Sequence, residues 1–168
     1  MSTFENPAYR WRETYFVLMG ANDRPTVSQV ESALAALNDR FELQNLQADD
    51  EGRFESVTLV SPDDFAALDI CYSQGDEVAE QVAQLVKEMK QSGVNKSELK
   101  KIAAATARLD VLHFQDVAAG IDSAVSAADF DEDNLEEMFD PSALLVVLEA
   151  LVELTGGIAV DPQTGTTV

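Results

Sequence analysis

The chain has 168 residues, 46% of them apolar, with 31 acidic against 11 basic side chains and a formal charge of −20. That length suits one domain with a core of its own, and the apolar content excludes a disordered chain. A surface this negative argues against unassisted binding to nucleic acid or to an anionic membrane.

Residues 1–13 are polar and aperiodic, and are expected as a mobile lead-in to a single α+β domain over 14–168. Thr14–Met19 (TYFVLM) is apolar on both sides and ends at Gly20, the pattern of a strand covered on two faces. A turn cluster, N-D-R-P-T, follows, with Thr26 or Ser28 placed to cap a helix. Val27, Val30, Leu34, Leu37 and Phe41 recur at three or four residues and predict that helix. Residues 41–48 read either as a strand or as the helix tail. Asp49-Asp50-Glu51-Gly52 reads as a hairpin tip, and the aromatic and β-branched residues of 54–60 predict the next strand.

After a break at Ser61-Pro62, Leu68, Ile70 and Tyr72 alternate with Asp69, Cys71 and Ser73, a strand with one wet face. Val78, Val82, Leu85, Val86 and Met89 predict a second helix, ended by Gly93. Asn95 or Ser97 opens a third, and Leu109–Phe114 (LDVLHF) reads as a strand. Between 115 and 140 a short helix around Val117, Ile121 and Val125 precedes a loop dense in acids. Asp140-Pro141 starts a helix apolar on more than one side from Leu144 to Leu154, stopped by Gly156-Gly157. Ile158–Val160 is a final strand, followed by a turn over 161–165.

Intermixed strands and helices place the chain in the α+β class. The expected form is a single mixed, largely antiparallel sheet with amphipathic helices packed chiefly on one face. The opening strand–helix–strand–strand order resembles the first part of a ferredoxin-like sandwich, a likeness of topology alone.

Candidate chemistry is sparse. Cys71 is the only cysteine, which excludes an intrachain disulfide and any multi-cysteine metal site. It lies on the polar face of its strand beside Asp69 and Ser73, and the adjacent carboxylate would raise the thiol pKa, the wrong direction for a nucleophile. His113 is the only histidine, and on a strand it shares a face with Leu109 and Val111, the setting of a packed residue. A Cys71–His113 dyad requires their strands to lie side by side. No catalytic residue is assigned, because periodicity does not set the separation of any carboxylate pair.

No cofactor motif is present: Gly20 stands alone, Gly156-Gly157 follows a helix, and there is no G-x-G-x-x-G or P-loop. Arg24 precedes the first helix and is expected as a solvated turn arginine rather than an anion ligand. Tyr9, Arg10, Trp11 and Arg12 form an aromatic–basic cluster, expected to dock its segment onto the core rather than to stack on a base.

Asp129, Asp131 and Asp133 match the first, third and fifth positions of a calcium loop. Asn134 then replaces its glycine, Glu136 its apolar eighth residue, and Asp140 its bidentate glutamate. The expectation is a solvated acidic loop and no metal site.

Charge is unevenly spread. Every basic residue lies at or before Arg108, and 13 acidic side chains follow it. Lys87, Lys90, Lys96, Lys100, Lys101 and Arg108 oppose only Glu88 and Glu98. Such polarity serves solubility, a basic protein partner, or pairing between copies of the chain. No basic segment followed by an apolar run opens the chain, and Glu149 and Glu153 interrupt its most apolar stretch. Neither signal peptide nor membrane helix is therefore expected. The sequence reads as a cytoplasmic, non-catalytic protein acting through protein contacts, with a basic partner or a second copy. A carboxylate- or metal-dependent enzyme and a small-ligand sensor are the other classes.

Overall fold

The computed structural model describes residues 9–62, 66–116 and 142–168. Among these, seven strands form one antiparallel sheet: β1 (Tyr9–Met19), β2 (Glu42–Ala48), β3 (Phe54–Ser61), β4 (Ala66–Gln74), β5 (Ala107–Asp116), β6 (Ile158–Asp161) and β7 (Thr166–Thr167). Their order is β2-β3-β4-β5-β1-β6-β7. The helices are α1 (Val27–Ala35), α2 (Asp76–Gln91), α3 (Lys96–Ala103) and α4 (Ser142–Thr155). The α+β class and the antiparallel sheet stand as read from the sequence.

The first strand is longer than its apolar run. Tyr9 to Met19 pairs along β5 as far as Asp116, so residues 9–13, expected as mobile, are part of the sheet. Backbone pairing holds a polar segment that hydrophobic periodicity cannot reveal. The aromatic–basic cluster is thus docked by its strand, while the Trp11 indole stays exposed and donates to Thr14 Oγ1 at 3.0 Å.

Thr26, not Ser28, caps α1, in a capping box with Gln29. The helix closes at Ala35, leaving Leu37 exposed and residues 42–48 free to form β2 rather than a helix tail. Asp49 makes the hairpin tip: its Oδ1 accepts from the amides of Glu51 and Arg53, and Gly52 takes φ +79°. Three strands, β3, β4 and β5, lie between β1 and β2. A split β-α-β unit inserts one, so the ferredoxin-like likeness does not extend to the strand order.

The helices divide two and two between the faces. Paired residues share a face and neighbours along a strand alternate. Val17 and Met19 join Ile70, Leu109, Val111 and Leu59 in the larger core, beneath α1 and α4. Leu18 and Val160 point the other way, into a smaller core with Val78, Val82 and Met89 of α2 and Leu99 and Ile102 of α3. The larger core does lie on one face, but the double-sided VLM run of β1 calls for helices on both.

Gly157 joins α4 to β6 where no side chain fits. A Cβ there would lie 2.4 Å from the carbonyl oxygen of Leu18. The predicted helix and loop over 117–140, including the calcium-like residues Asp129, Asp131, Asp133 and Asp140, lie outside the described residues.

Helix α4 tests this arrangement. Leu144 is buried and Leu145, one position on, is half exposed. Leu144→Ala should destabilise by about 2–5 kcal/mol through the cavity it leaves. Leu145→Ala should stay within about 0.5 kcal/mol. Urea midpoints of the two variants measure the difference.

Candidate functional site

Strand β5 carries two chemistries because its side chains alternate. Leu109, Val111 and His113 face the larger core, while Arg108, Asp110 and Leu112 face the side that α2 and α3 partly cover. His113 is fully buried, with Nδ1 3.3 Å from Glu13 Oε1 across the β1–β5 pair. Its packed character follows the sequence reading.

Cys71 lies opposite Asp110, and His113 lies opposite Leu68. Strands β4 and β5 are therefore neighbours, as a dyad would need. Cys71 is three residues from Leu68, and an odd offset puts its side chain on the other face. The sheet separates the thiol from the imidazole. Burial pushes the Cys71 thiol up, and the carboxylates of Asp69 and Asp110 push it further. Asp69 is held by Thr58 Oγ1, which donates to it at 2.7 Å.

The face opposite His113 contains the most distinctive constellation. Arg108 packs its guanidinium over the Phe16 ring, 4.4 Å from the centroid. Its Nε lies 2.7 Å from Asp110 Oδ1, and the two side chains are only 14% and 22% exposed. Nε and Oδ1 form a close, buried, charge-assisted contact, and Arg108 Nη1 is buried without a hydrogen-bond partner among the described residues. Burial raises the Asp110 pKa and outweighs the attraction of Arg108. A buried donor left unbonded costs about 1–3 kcal/mol, more where it is charged.

Beside this pair a cleft of about 240 Å³ opens between α2 and the sheet. Phe16, Leu18, Val82 and Leu85 make its apolar walls, and Gln81, Gln84 and Glu88 line it from the exposed edge of α2. The sequence reading grouped Arg108 with the basic helices. It belongs instead to the sheet, and its pairing with Asp110 joins the two halves of the charge split within one molecule. The signal was present in the alternation R-L-D-V-L-H, which places Arg108 and Asp110 on one face. The lysines of α2 and α3, from Lys87 to Lys101, are exposed.

The other residues singled out have structural tasks. Arg24 is neither solvated nor an anion ligand: Nε and Nη2 donate to the Phe54 carbonyl at 3.0 and 2.8 Å, and the guanidinium stacks 4.1 Å from the Tyr72 centroid. It ties the approach to α1 to the start of β3. Gly20 and Gly156-Gly157, far apart in sequence, line one second cleft with Asp23 and Lys101. That cleft is no phosphate cradle. The Gly156 and Gly157 amides already donate to Val152 O and Thr155 Oγ1, and Lys101 Nζ donates to Gly157 O at 3.2 Å.

Among the described residues no three His, Cys, Asp or Glu side chains gather as a metal site. No helix among them is long and apolar enough to cross a membrane. Comparison with protein-family models, curated proteins and solved structures finds no match to this chain.

The raised thiol pKa has a direct consequence for Cys71. Its alkylation rate should rise with pH around a midpoint above that of free cysteine. Asp69→Asn removes one of the repelling charges, so the midpoint should fall and the rate at pH 8 should increase. Rates with iodoacetamide across pH 7–10 measure both.

Proposed function

We propose that this chain is a cytoplasmic, non-catalytic protein acting through protein–protein contacts, with the outer side of α4 as its docking surface. The observation that carries the reading is the exposure of Leu145 and Val146, at 50% and 39%, on the most apolar helix of the chain. The rest of that helix supports it: Ala143, Leu144, Val147, Leu148 and Leu151 are buried, so the ridge is left over from a filled core. Glu149 and Glu153 flank the ridge, and α4 has no basic residue.

The occupant is a partner segment with apolar anchors and Lys or Arg around them. A second copy suits the surface less well. Two-fold pairing of α4 would set Glu149 and Glu153 against themselves in a chain already at −20. The single half-buried cysteine agrees with a reducing compartment.

A leucine–lysine amphipathic helical peptide is the probe, titrated into the full ¹⁵N-labelled chain. Saturable shifts should centre on residues 142–153. Leu145→Asn with Val146→Asn keeps the charge and should weaken binding at least tenfold, about 1.4 kcal/mol. Raising salt to 1 M should weaken binding without abolishing it, because screening reaches charges and not apolar contact. Affinity indifferent to that double variant would overturn the reading. So would a dimer, seen by light scattering in 1 M salt, that the same variant dissolves, since the ridge would then belong to a second copy.

A further inference from the structure

We propose that the outer side of the α2–α3 pair docks a short acidic segment of a partner protein, received by Lys87, Lys90, Lys96 and Lys100. Between residues 87 and 101 the chain holds five lysines against Glu88 and Glu98, although the whole chain stands at −20. All five lysines are exposed, while Glu98 is half-buried and accepts from Thr167 Oγ1 at 3.3 Å. Among the described residues no ion pair engages any of them, and Lys101 alone has a side-chain hydrogen bond, to the Gly157 carbonyl. The other four ammonium groups therefore give up no internal partner when an acid reaches them.

Helix stability does not account for their placement. A helix dipole favours cations in the last turn, which suits Lys90 in α2 and Lys100 in α3, but Lys96 stands at the first position of α3, where a cation is disfavoured. Lys87 is two positions from both Leu85 and Met89, on the side of α2 turned from the core. Lys87 and Lys90 are three residues apart and Lys96 and Lys100 four, so each pair shares a side of its helix. Met89, Leu99 and Ile102 pack the two helices into one core, and only the turn Ser92–Asn95 separates them in sequence. The lysines thus belong to one surface.

Complementarity selects an acidic occupant, and the rest of the chain limits its length. Charges act over about 10 Å in 0.1 M salt. A short acidic segment meets the lysines alone, whereas a nucleic acid strand or an anionic membrane extends to the acidic remainder of the chain. This surface covers the smaller core, across the sheet from the α4 ridge, and takes a partner of the opposite sign. It goes beyond the α4 reading, and either can fail alone.

Hexaglutamate is the probe, titrated into the full ¹⁵N-labelled chain in about 0.1 M salt, with a glycine–serine hexapeptide as the neutral control. Saturable shifts should centre on residues 87–101 and leave 142–153 unmoved. Lys87→Gln, Lys90→Gln, Lys96→Gln and Lys100→Gln together should weaken binding at least tenfold, about 1.4 kcal/mol. Arginine at the same four positions should retain it. Salt at about 0.5 M should abolish binding, because no apolar contact supports it, and this series decides the matter even where the glutamine variant fails to fold. The proposal is overturned if hexaglutamate does not saturate, if the neutral peptide binds as well, if the glutamine variant binds like the parent chain, or if binding survives that salt. It is equally overturned if a short oligonucleotide or a phosphatidylserine vesicle binds these residues more tightly than the peptide. A dimer seen by light scattering that the glutamine variant dissolves would assign the lysines to a second copy instead.

Discussion

Strand β1 must be covered on both faces, and the architecture is arranged around that requirement. Val17 and Met19 project to one side of the sheet and Leu18 to the other, all three buried. An edge position would leave one row of its backbone groups unpaired, but β5 pairs it along its length and β6 pairs Phe16–Leu18 on the other side. Helices α1 and α4 close one side over the larger core, and α2 and α3 close the other over Leu18 and Val160. Gly157 is part of the same constraint, since the chain entering β6 passes the Leu18 carbonyl too closely for any side chain. With apolar burial at about 25 cal/mol per Å², these two cores supply the main stabilising force.

The second face is only partly apolar, and its polar remainder is where the chemistry collects. Phe16, Asp110 and Cys71 stand in register across three strands, with Arg108 one row away. A strand that buries one row of side chains inevitably presents the alternate row to whatever lies beyond, here the flank of α2. Replacing such a buried pair with apolar residues often costs a protein nothing. Arg108 and Asp110, at 14% and 22% exposure, answer each other's charge on this face at 2.7 Å. The thiol and the imidazole are denied cooperation by the same alternation.

Among the described residues, charge serves to fasten local structure around these cores. Lysines of α2 and α3 are exposed, and Lys101 bonds a backbone carbonyl at 3.2 Å. Arg24 and Asp49 show the structural use of charge on the other flank, fastening the hairpin tip and the entry to α1. Exposed pairs such as Arg53 with Glu51 are screened by solvent and add little. Acidic Glu149 and Glu153 instead border an apolar ridge, which gives the surface a chemical direction.

Periodicity alone determined the strands at 14–19, 54–60 and 109–114, the α1, α2 and α3 helices, and the α+β class, because each rests on contacts between near neighbours in sequence. It also placed Cys71 on the polar face of its strand and His113 on an apolar one, since alternation is local, while the covering that half-buries Cys71 is not local. The ends of elements escaped it: residues 9–13 are polar and pair with β5, a partner about 100 positions away. Arg24 looked like a solvated turn residue because its acceptor, Phe54 O, is 30 residues distant. Which strands are neighbours, and hence that Cys71 and His113 lie on adjacent strands yet on opposite faces, follows from sheet order, which no local pattern encodes. Arg108 shows the same division. The sequence supplied its charge and its side of the strand, whereas Phe16 beneath it, Asp110 at 2.7 Å and the α2 cleft beside it come together only through long-range packing.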